Sequence, residues 1–398
     1  MEMKFTTKEL EAVMTVAVIM AIRMLGIFLI LPVFSVYTER YPGADLTLAG
    51  IAFGIYALAQ SALQIPFGWA SDKIGRKPVL IFGLLLFTVG SVLCALSDNI
   101  IHLILARVVQ GSGAVSSVAI ASLGDLTRNE VRARSFTIVG LSIGAAFLIA
   151  IIAGPLLAAG IGFDTLFYIL AALGTIAIII TILFFPEIKK QTFVEEESKV
   201  LSLLNQPEMR KLFVSAMIIS FTVNMFVFIY PLSWTRLGVE EGQLWQVYLI
   251  ALIPTALFVY PFIRRAERGG TLRITIHASW ALLALSFLIY PAYSYFSWIL
   301  YITGMMYFAG HTIMQSQLPA FLTQRVGQEK RGATTGLYNL TGFFGAAVGG
   351  MLAGYLYQVN PHLPLIVALI VVVLWGVMGL PEPPEAIKLD KDEKLRGN

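Results

Sequence analysis

The chain has 398 residues, of which 57% are hydrophobic and 13% charged, against soluble norms of roughly 45–50% and about 25%. So little polar surface excludes an ordinary soluble domain. Apolar runs such as Leu166–Pro186 and Leu363–Leu380 also exclude the alternating strands, roughly 10 residues each, of a membrane barrel. The net charge of +4 reads as basic loops retained on one side of a membrane, so no nucleic-acid partner is expected.

Taken in chain order, the apolar segments are 14–37, 47–70, 79–97, 101–123, 134–158, 162–186, 211–235, 244–263, 274–292, 295–320, 334–357 and 362–380. At about 20 residues per span, twelve spans leave ample chain for short loops. The charged start and the long first run read as a first span, not a signal peptide. Of 28 Lys and Arg residues, 24 fall on the side shared by both termini. Arg40 and Arg236 fall on the other side, and Arg23 and Arg107 fall inside spans. This bias places both termini in the cytoplasm. The expected fold is an all-α membrane protein with 12 transmembrane helices. An N-terminal six-helix bundle (1–186), a cytoplasmic linker (187–210), a C-terminal six-helix bundle (211–380) and a cytoplasmic tail (381–398) are expected in turn. Pro66-Phe67 and Pro261-Phe262, each before a charged loop, hint at a repeat of the two halves.

Cys94 is the only cysteine, so it forms no intramolecular disulfide and no cysteine-based metal site. His102, His277, His311 and His362 are scattered over different segments, so no metal is expected. No phosphate-binding loop of the G-x-x-x-x-G-K-[ST] type occurs, so ATP is not an energy source supplied by this chain. No cofactor is expected.

The loop after the second segment reads Gly68-Trp69-Ala70-Ser71-Asp72-Lys73-Ile74-Gly75-Arg76-Lys77. Gly75 permits a tight reversal, Gly68 a close helix approach, and Asp72 is an anion near helix ends. Asp125 is a plausible partner for Arg76; alternatively, these charges only set topology. Arg107 lies in an apolar run, where a cation is costly and usually functional; the alternative is a structural anchor. Arg23 is a second such cation, equally readable as a hydrogen-bond hub. Gly140, Gly144 and Gly154-Pro155 are read as a close-packing, bent face of the fifth segment. Gly342, Gly345, Gly349, Gly350 and Gly354 give the eleventh segment a similar face.

Polar groups within the segments are expected to face a central cavity. They are Tyr56, Gln60 and Gln64; Asn224 and Tyr230; His311, Gln315 and Gln317; and Asn339. Phe221, Phe226 and Phe228 either line an apolar pocket or serve in packing. All 24 acidic residues lie in loops, tails or segment ends. Asp72, Asp125 and Asp164 near span ends, and His311, whose imidazole type titrates near neutrality, are therefore the ionisable groups left to carry a charge or proton at or within a span.

The loop resembles the G-x-x-x-D-x-x-G-R-K signature of the major facilitator superfamily. Arg107-Val108-Val109-Gln110-Gly111-Ser112-Gly113 matches a second motif of that superfamily. Gly140, Gly144 and Gly154-Pro155 resemble the antiporter motif of its drug-efflux branches. Arg23–Phe28 with Leu31-Pro32-Val33, Gln64–Gly68 and Leu123–Thr127 are similar to the YajR-like efflux branch. That branch's namesake carries an extra cytoplasmic domain, which is expected to be missing here because the chain stops about 18 residues after its last segment. The resemblance implies two pseudo-symmetric bundles in a prokaryotic plasma (inner) membrane. It also implies a cytoplasmic gate of Gly68, Asp72, Gly75, Arg76, Lys77 and Asp125. Arg107 and Gly111 would serve coupling, and Gly154 and Pro155 the antiporter bend. The cavity would comprise Arg23, Tyr56, Gln60, Gln64, Asn224, Phe228, His311, Gln315 and Asn339.

The implied protein is a monomeric, non-enzymatic, secondary-active transporter embedded in a lipid bilayer. Its expected action is proton-coupled efflux of small amphipathic compounds by alternating access. A permease or exporter of a specific metabolite (sugar, amino acid or organic anion) and a non-transporting sensor or scaffold stay open.

Overall fold

A computed structural model describes residues 5–186, 205–269, 272–326 and 331–382. Most of the expected linker and of the tail lies outside these described residues. The first half of the chain forms α1 (Thr7–Ile30), α2 (Phe34–Thr38), α3 (Leu46–Ile74) and α4 (Arg76–Ala95). It continues with α5 (Ile100–Gly111), α6 (Val115–Leu126), α7 (Asn129–Ile161) and α8 (Phe163–Phe184). The second half forms α9 (Pro207–Arg236), α10 (Leu244–Gly269), α11 (Leu272–Ile289), α12 (Ile299–Arg325), α13 (Arg331–Val359) and α14 (Leu363–Met378).

Local chemistry sets the helix ends. Thr6 and Glu9 form a reciprocal capping box on α1, which satisfies two of its free backbone donors. Asp45 accepts from the Leu48 N–H at 2.7 Å, and Asn99 from the His102 N–H at 2.9 Å. Pro207 occupies the start of α9, where its missing N–H costs nothing. Gly75 separates α3 from α4 at φ 105°, a conformation that side-chain-bearing residues rarely adopt.

A helix or helix pair occupies each of the twelve predicted segments. Among the described residues, nine helical segments are long and apolar enough to cross a membrane. The predicted segments outside these nine are those of α10, α12 and the 16-residue α14. In α12, Thr303, His311, Thr312, Gln315 and Gln317 dilute the apolar character. Two predicted segments differ in detail. The first bends at Pro32, between α1 and α2, because proline cannot donate to the helical ladder. The fourth is not continuous: Ser112–Ala114 break it, with Ala114 N–H bonded to Ser112 O and Val115 N–H to Gly113 O. At the break Arg23 adds a donor to the Gly113 carbonyl, and Gly111 and Gly113 pack against the Tyr56 backbone and the Gly83 carbonyl.

The end of the molecule that carries the Lys/Arg-rich loops is called here the basic face. At the opposite face the two halves pack as one. Leu29–Tyr37, Phe53, Leu103 and Phe163–Leu170 join the second half in a single apolar core. Toward the basic face, the first half has its own separate core around Val13–Met20, Leu80, Leu84, Val115–Ala119 and Leu123. The seam between halves is formed by α3 and α13. A side chain at Gly50 would collide with the Gly354 backbone, and one at Gly54 with the Ala347 carbonyl. Small residues thus let two long helices cross nearly in backbone contact.

The close-packing glycine faces expected of α7 and α13 are realised in part. Gly345 and Gly349 seat the carbonyls of Met217 and Phe221 on α9, within the second half. Gly154 seats the Leu29 carbonyl of α1, within the first half. A Cβ at Gly68, Gly140 or Gly144 would meet nothing within 4 Å, so these three glycines support no close helix contact here. Their lack of side chain is not spent on packing, which corrects that part of the motif reading.

Candidate functional site

The signature loop places its charges at the basic-face end of α3 and α4. Because Gly75 reverses the backbone between two helices, Arg76 sits one helical step from Asp72 and turns inward, 7% exposed. Its guanidinium holds Asp72 at 2.5 Å and Asp125, at the end of α6, at 3.0 Å. It also donates to the Ser71 hydroxyl at 2.5 Å. One planar fork therefore ties three helices, a geometry that a lysine ammonium does not supply. Lys77 donates to the Ile182 carbonyl of α8 at 2.8 Å. Nearby, Arg128 grips Glu9 through Nε at 2.7 Å and Nη2 at 2.9 Å, fastening the start of α1 to the start of α7.

Arg107 lies in α5 near the middle of the bundle and is 6% exposed. Its Nη1 donates to Gln110 Oε1 at 2.6 Å and its Nε to the Ala52 carbonyl at 3.3 Å. The rings of Tyr56 and Phe34 cover it, with centroids 4.5 and 5.2 Å from the guanidinium carbon. Gln110 passes the contact on to the Ser91 hydroxyl at 2.8 Å. The charge is thus met by oxygens and ring faces, with no carboxylate among its partners. Gly111 lies directly against the Tyr56 backbone, where any side chain would collide.

Arg23 of α1 is fully buried. It donates to the Gly113 carbonyl at 3.1 Å and to the Ser116 hydroxyl, bracing the break between α5 and α6. Tyr56, Gln60 and Gln64 are all buried on α3. Among the described residues, the Tyr56 hydroxyl and both amide atoms of each glutamine find no hydrogen-bond partner.

The second-half residues are less united. Asn224 donates to its own helix at the Ser220 carbonyl, 3.0 Å. Phe228 meets Phe53 of the first half at 5.7 Å. Phe226 does not line a pocket: it is stacked on Tyr307 at 4.0 Å and 6°, inside the core of its own half. His311 stacks on Tyr307 at 6.0 Å, and its Nδ1 has no partner. Gln315 is exposed and Asn339 half-buried. Pro155 is buried within α7, which continues helical through it to Ile161.

At the opposite face, polar contacts cross between halves. Arg40 pairs with Glu241. Gln358 Oε1 accepts from the Thr47 N–H at 2.9 Å, and its Nε2 donates to Asp45 at 3.4 Å. A cavity of about 1000 Å³ lies there, lined among others by Tyr37, Arg40, Asp98, Asp164 and Glu241. The Tyr41 hydroxyl donates to Asp164. Burial, then that bond to a carboxylate, push the phenol above its ordinary pKa, so it stays a donor. Sequence reasoning assigned no role to Gln110, Ser116, Arg40, Glu241 or Gln358. Gln110 was legible as the polar residue one helical turn after an intramembrane arginine. The cross-half pairs had no sequence signal.

The sequence matches the Major Facilitator Superfamily over residues 16–341 and 212–397. It is 33% identical to the inner membrane transport protein YajR of Escherichia coli K12, over 89% of this chain and 79% of that protein. It is 26% identical to the quinolone resistance protein NorA of Staphylococcus aureus, over 92% and 95% of the two chains. Its fold superposes on the crystal structure of the nucleoside transporter NupG with a TM-score of 0.69 at 16% identity, covering 93% of this chain and 96% of that one. The chain therefore belongs to the Major Facilitator Superfamily: it is a multi-pass membrane protein, not an enzyme, and a secondary transporter working by alternating access.

Proposed function

We propose that this transporter exports small amphipathic compounds in exchange for protons across a bacterial inner membrane. In this reading twelve spans form two six-helix bundles, with the basic face and both termini in the cytoplasm and a single chain as the working unit. The observation that carries it is the asymmetry of packing. The halves share one core at the opposite face, whereas the first half keeps a separate core toward the basic face. That is the arrangement expected of a carrier closed to the outside and parted toward the cytoplasm.

Arg76, held by Asp72 and Asp125, would then be the element that re-docks when the inner side closes, with Lys77, Gly68 and Gly75 setting its loop. Arg107, Gly111 and the Gly154-Pro155 turn of α7 would link substrate occupancy to that movement. Membership of a family that includes YajR and NorA supports efflux over uptake. A permease or exporter of a specific metabolite is the second reading. It is favoured by the two arginines within spans, Arg23 and Arg107, and by the confinement of all acidic residues to loops, tails or segment ends. A sensor or scaffold would have little use for the Arg76 network.

The test uses proteoliposomes holding the purified full chain and an internal pH-sensitive dye. A proton gradient is imposed and lipophilic cations, neutral drugs and organic anions are added in turn. Compound-dependent proton flux that disappears in Asp72→Asn and Arg107→Ala is the expected result. Equilibration of a radiolabelled solute without proton flux overturns the coupling. Movement of neither, by correctly folded protein, favours the sensor reading.

A further inference from the structure

The face that α3 turns toward the second half changes character along its length. Phe53, Ala57, Gln60 and Gln64 are spaced 4, 3 and 4 residues apart, so they form one stripe along the helix. The upper part of the stripe is packed across the seam: Phe53 meets Phe228 at 5.7 Å, and Ala57 clusters with Ala346 and Ala347. The two glutamines continue the same stripe toward the basic face. Gln60 is fully buried and Gln64 is 2% exposed. Among the described residues, neither Oε1 nor Nε2 of either glutamine has a hydrogen-bond partner. Buried amides without partners are rare, because each forfeits its hydration and gains nothing in return. Four such atoms on one stripe of α3, in line with the Phe53 contact across the seam, are a site waiting for a complementary group.

The surroundings narrow the chemistry. Arg107 lies over the ring of Tyr56, one helical turn before Gln60 on α3, and no acidic residue lies in the middle of any span. A cationic solute meets positive charge here without a counter-charge. A carboxylate satisfies the two amide N–H groups but leaves both Oε1 atoms facing further acceptors. Only a group with a donor beside an acceptor matches both ends of a glutamine amide. The Phe53–Phe228 contact directly above offers ring faces to a flat apolar body.

We propose that Gln60 and Gln64 form the recognition site for an uncharged aromatic solute carrying a carboxamide or lactam edge. The inference rests on the transporter reading above and names the substrate class for it.

Three isosteric probes separate the possibilities: 2-naphthamide, 2-naphthoate and 2-naphthamidinium. Equilibrium binding of each radiolabelled probe is measured on the full chain in nanodiscs. The amide is expected to bind at least tenfold more tightly than either charged isostere. Gln60→Leu and Gln64→Leu are each expected to weaken amide binding about tenfold. Gln60→Glu is expected to shift preference toward the amidinium, which guards against a leucine variant that fails to fold. Equal or tighter binding of the amidinium by the parent overturns the proposal, as does unchanged amide binding in both leucine variants. Binding of none of the three also overturns it. Failure here with compound-dependent proton flux for another solute leaves the transporter reading standing. Amide binding with no flux of any kind sinks that reading instead.

Discussion

The centres of the two halves are built from opposite materials. In the first half, Arg107, Gln110 and Ser91 form a buried chain of directed hydrogen bonds, and Arg23 braces a helix break. In the second half, Phe226 is surrounded by Tyr307, Tyr230, Phe308, Tyr290 and Phe287, at 4.0 to 6.2 Å between ring centroids. The phenols there cap themselves on nearby oxygens, as Tyr307 does on Thr222 at 3.1 Å. The segments that correspond by order differ in the same way: α5 and α6 are broken, whereas α12 runs unbroken from Ile299 to Arg325. A stack of rings holds through many weak contacts and tolerates local loss. A buried charge depends on two or three partners, and losing one leaves the rest exposed to the full cost of desolvation. The first half is thus the brittle one.

The comparison breaks most directly at Gln110. Gln110→Leu keeps the volume but removes the acceptor at 2.6 Å from Arg107, leaving a buried guanidinium short of an oxygen. The expected cost is about 3 kcal/mol, the upper range for a hydrogen bond to a charged group. Arg107→Leu removes the charge along with its demand, so it should cost less, about 1 kcal/mol, while abolishing transport. Unfolding of both variants in bicelles gives the order. If Arg107→Leu is the less stable protein, the charge is an ordinary structural anchor and the brittleness argument fails.

The second half is tested at Phe226. In a bilayer the lipid is as apolar as the core, so Phe226→Ala loses packing and not transfer from water. A cavity of roughly 100 Å³ at about 24 cal/mol per Å³ costs about 2.4 kcal/mol. Phe226→Leu, which refills most of that space, should recover more than half. Solute transport by both variants should stay near the parent level once they are folded. A transport loss in Phe226→Leu as large as that in Arg107→Leu would put the aromatic stack in the working site.

These contrasts mark what could be read from the sequence. The helices were legible because apolar runs longer than a span announce themselves, and Arg107 because a cation in such a run is conspicuous. The break at Ser112–Ala114 was not, since nothing local says that Arg23, some 90 residues earlier, will take up the Gly113 carbonyl. The open surroundings of Gly68, Gly140 and Gly144 were equally hidden. A glycine motif says that a side chain is missing, not what lies opposite. Pairs such as Arg40 with Glu241 depend on how the halves sit together, which no local spacing encodes.

That last pair provides the smallest expected effect and sharpens the rule that polar contacts are strong here only when dry. The Arg40 side chain is 60% exposed and that of Glu241 23%. An exposed ion pair is worth about 0.2–1 kcal/mol and weakens with salt. Closure of the opposite face should rest instead on the Gly50–Gly354 crossing of α3 and α13. A double-mutant cycle with Arg40→Ala and Glu241→Ala measures the coupling. The readout is the labelling rate of Ala159→Cys at that face by a membrane-impermeant maleimide, since the native Cys94 is buried and silent. The coupling should accelerate labelling no more than about fivefold, the factor that 1 kcal/mol allows, and should vanish in high salt. A Gly354→Leu variant, which forces the helices apart, should exceed it. If the ion pair instead controls labelling by far more than fivefold at any salt, then wetness does not set the strength of these contacts. The two halves would then differ in composition and not in the physics that holds them.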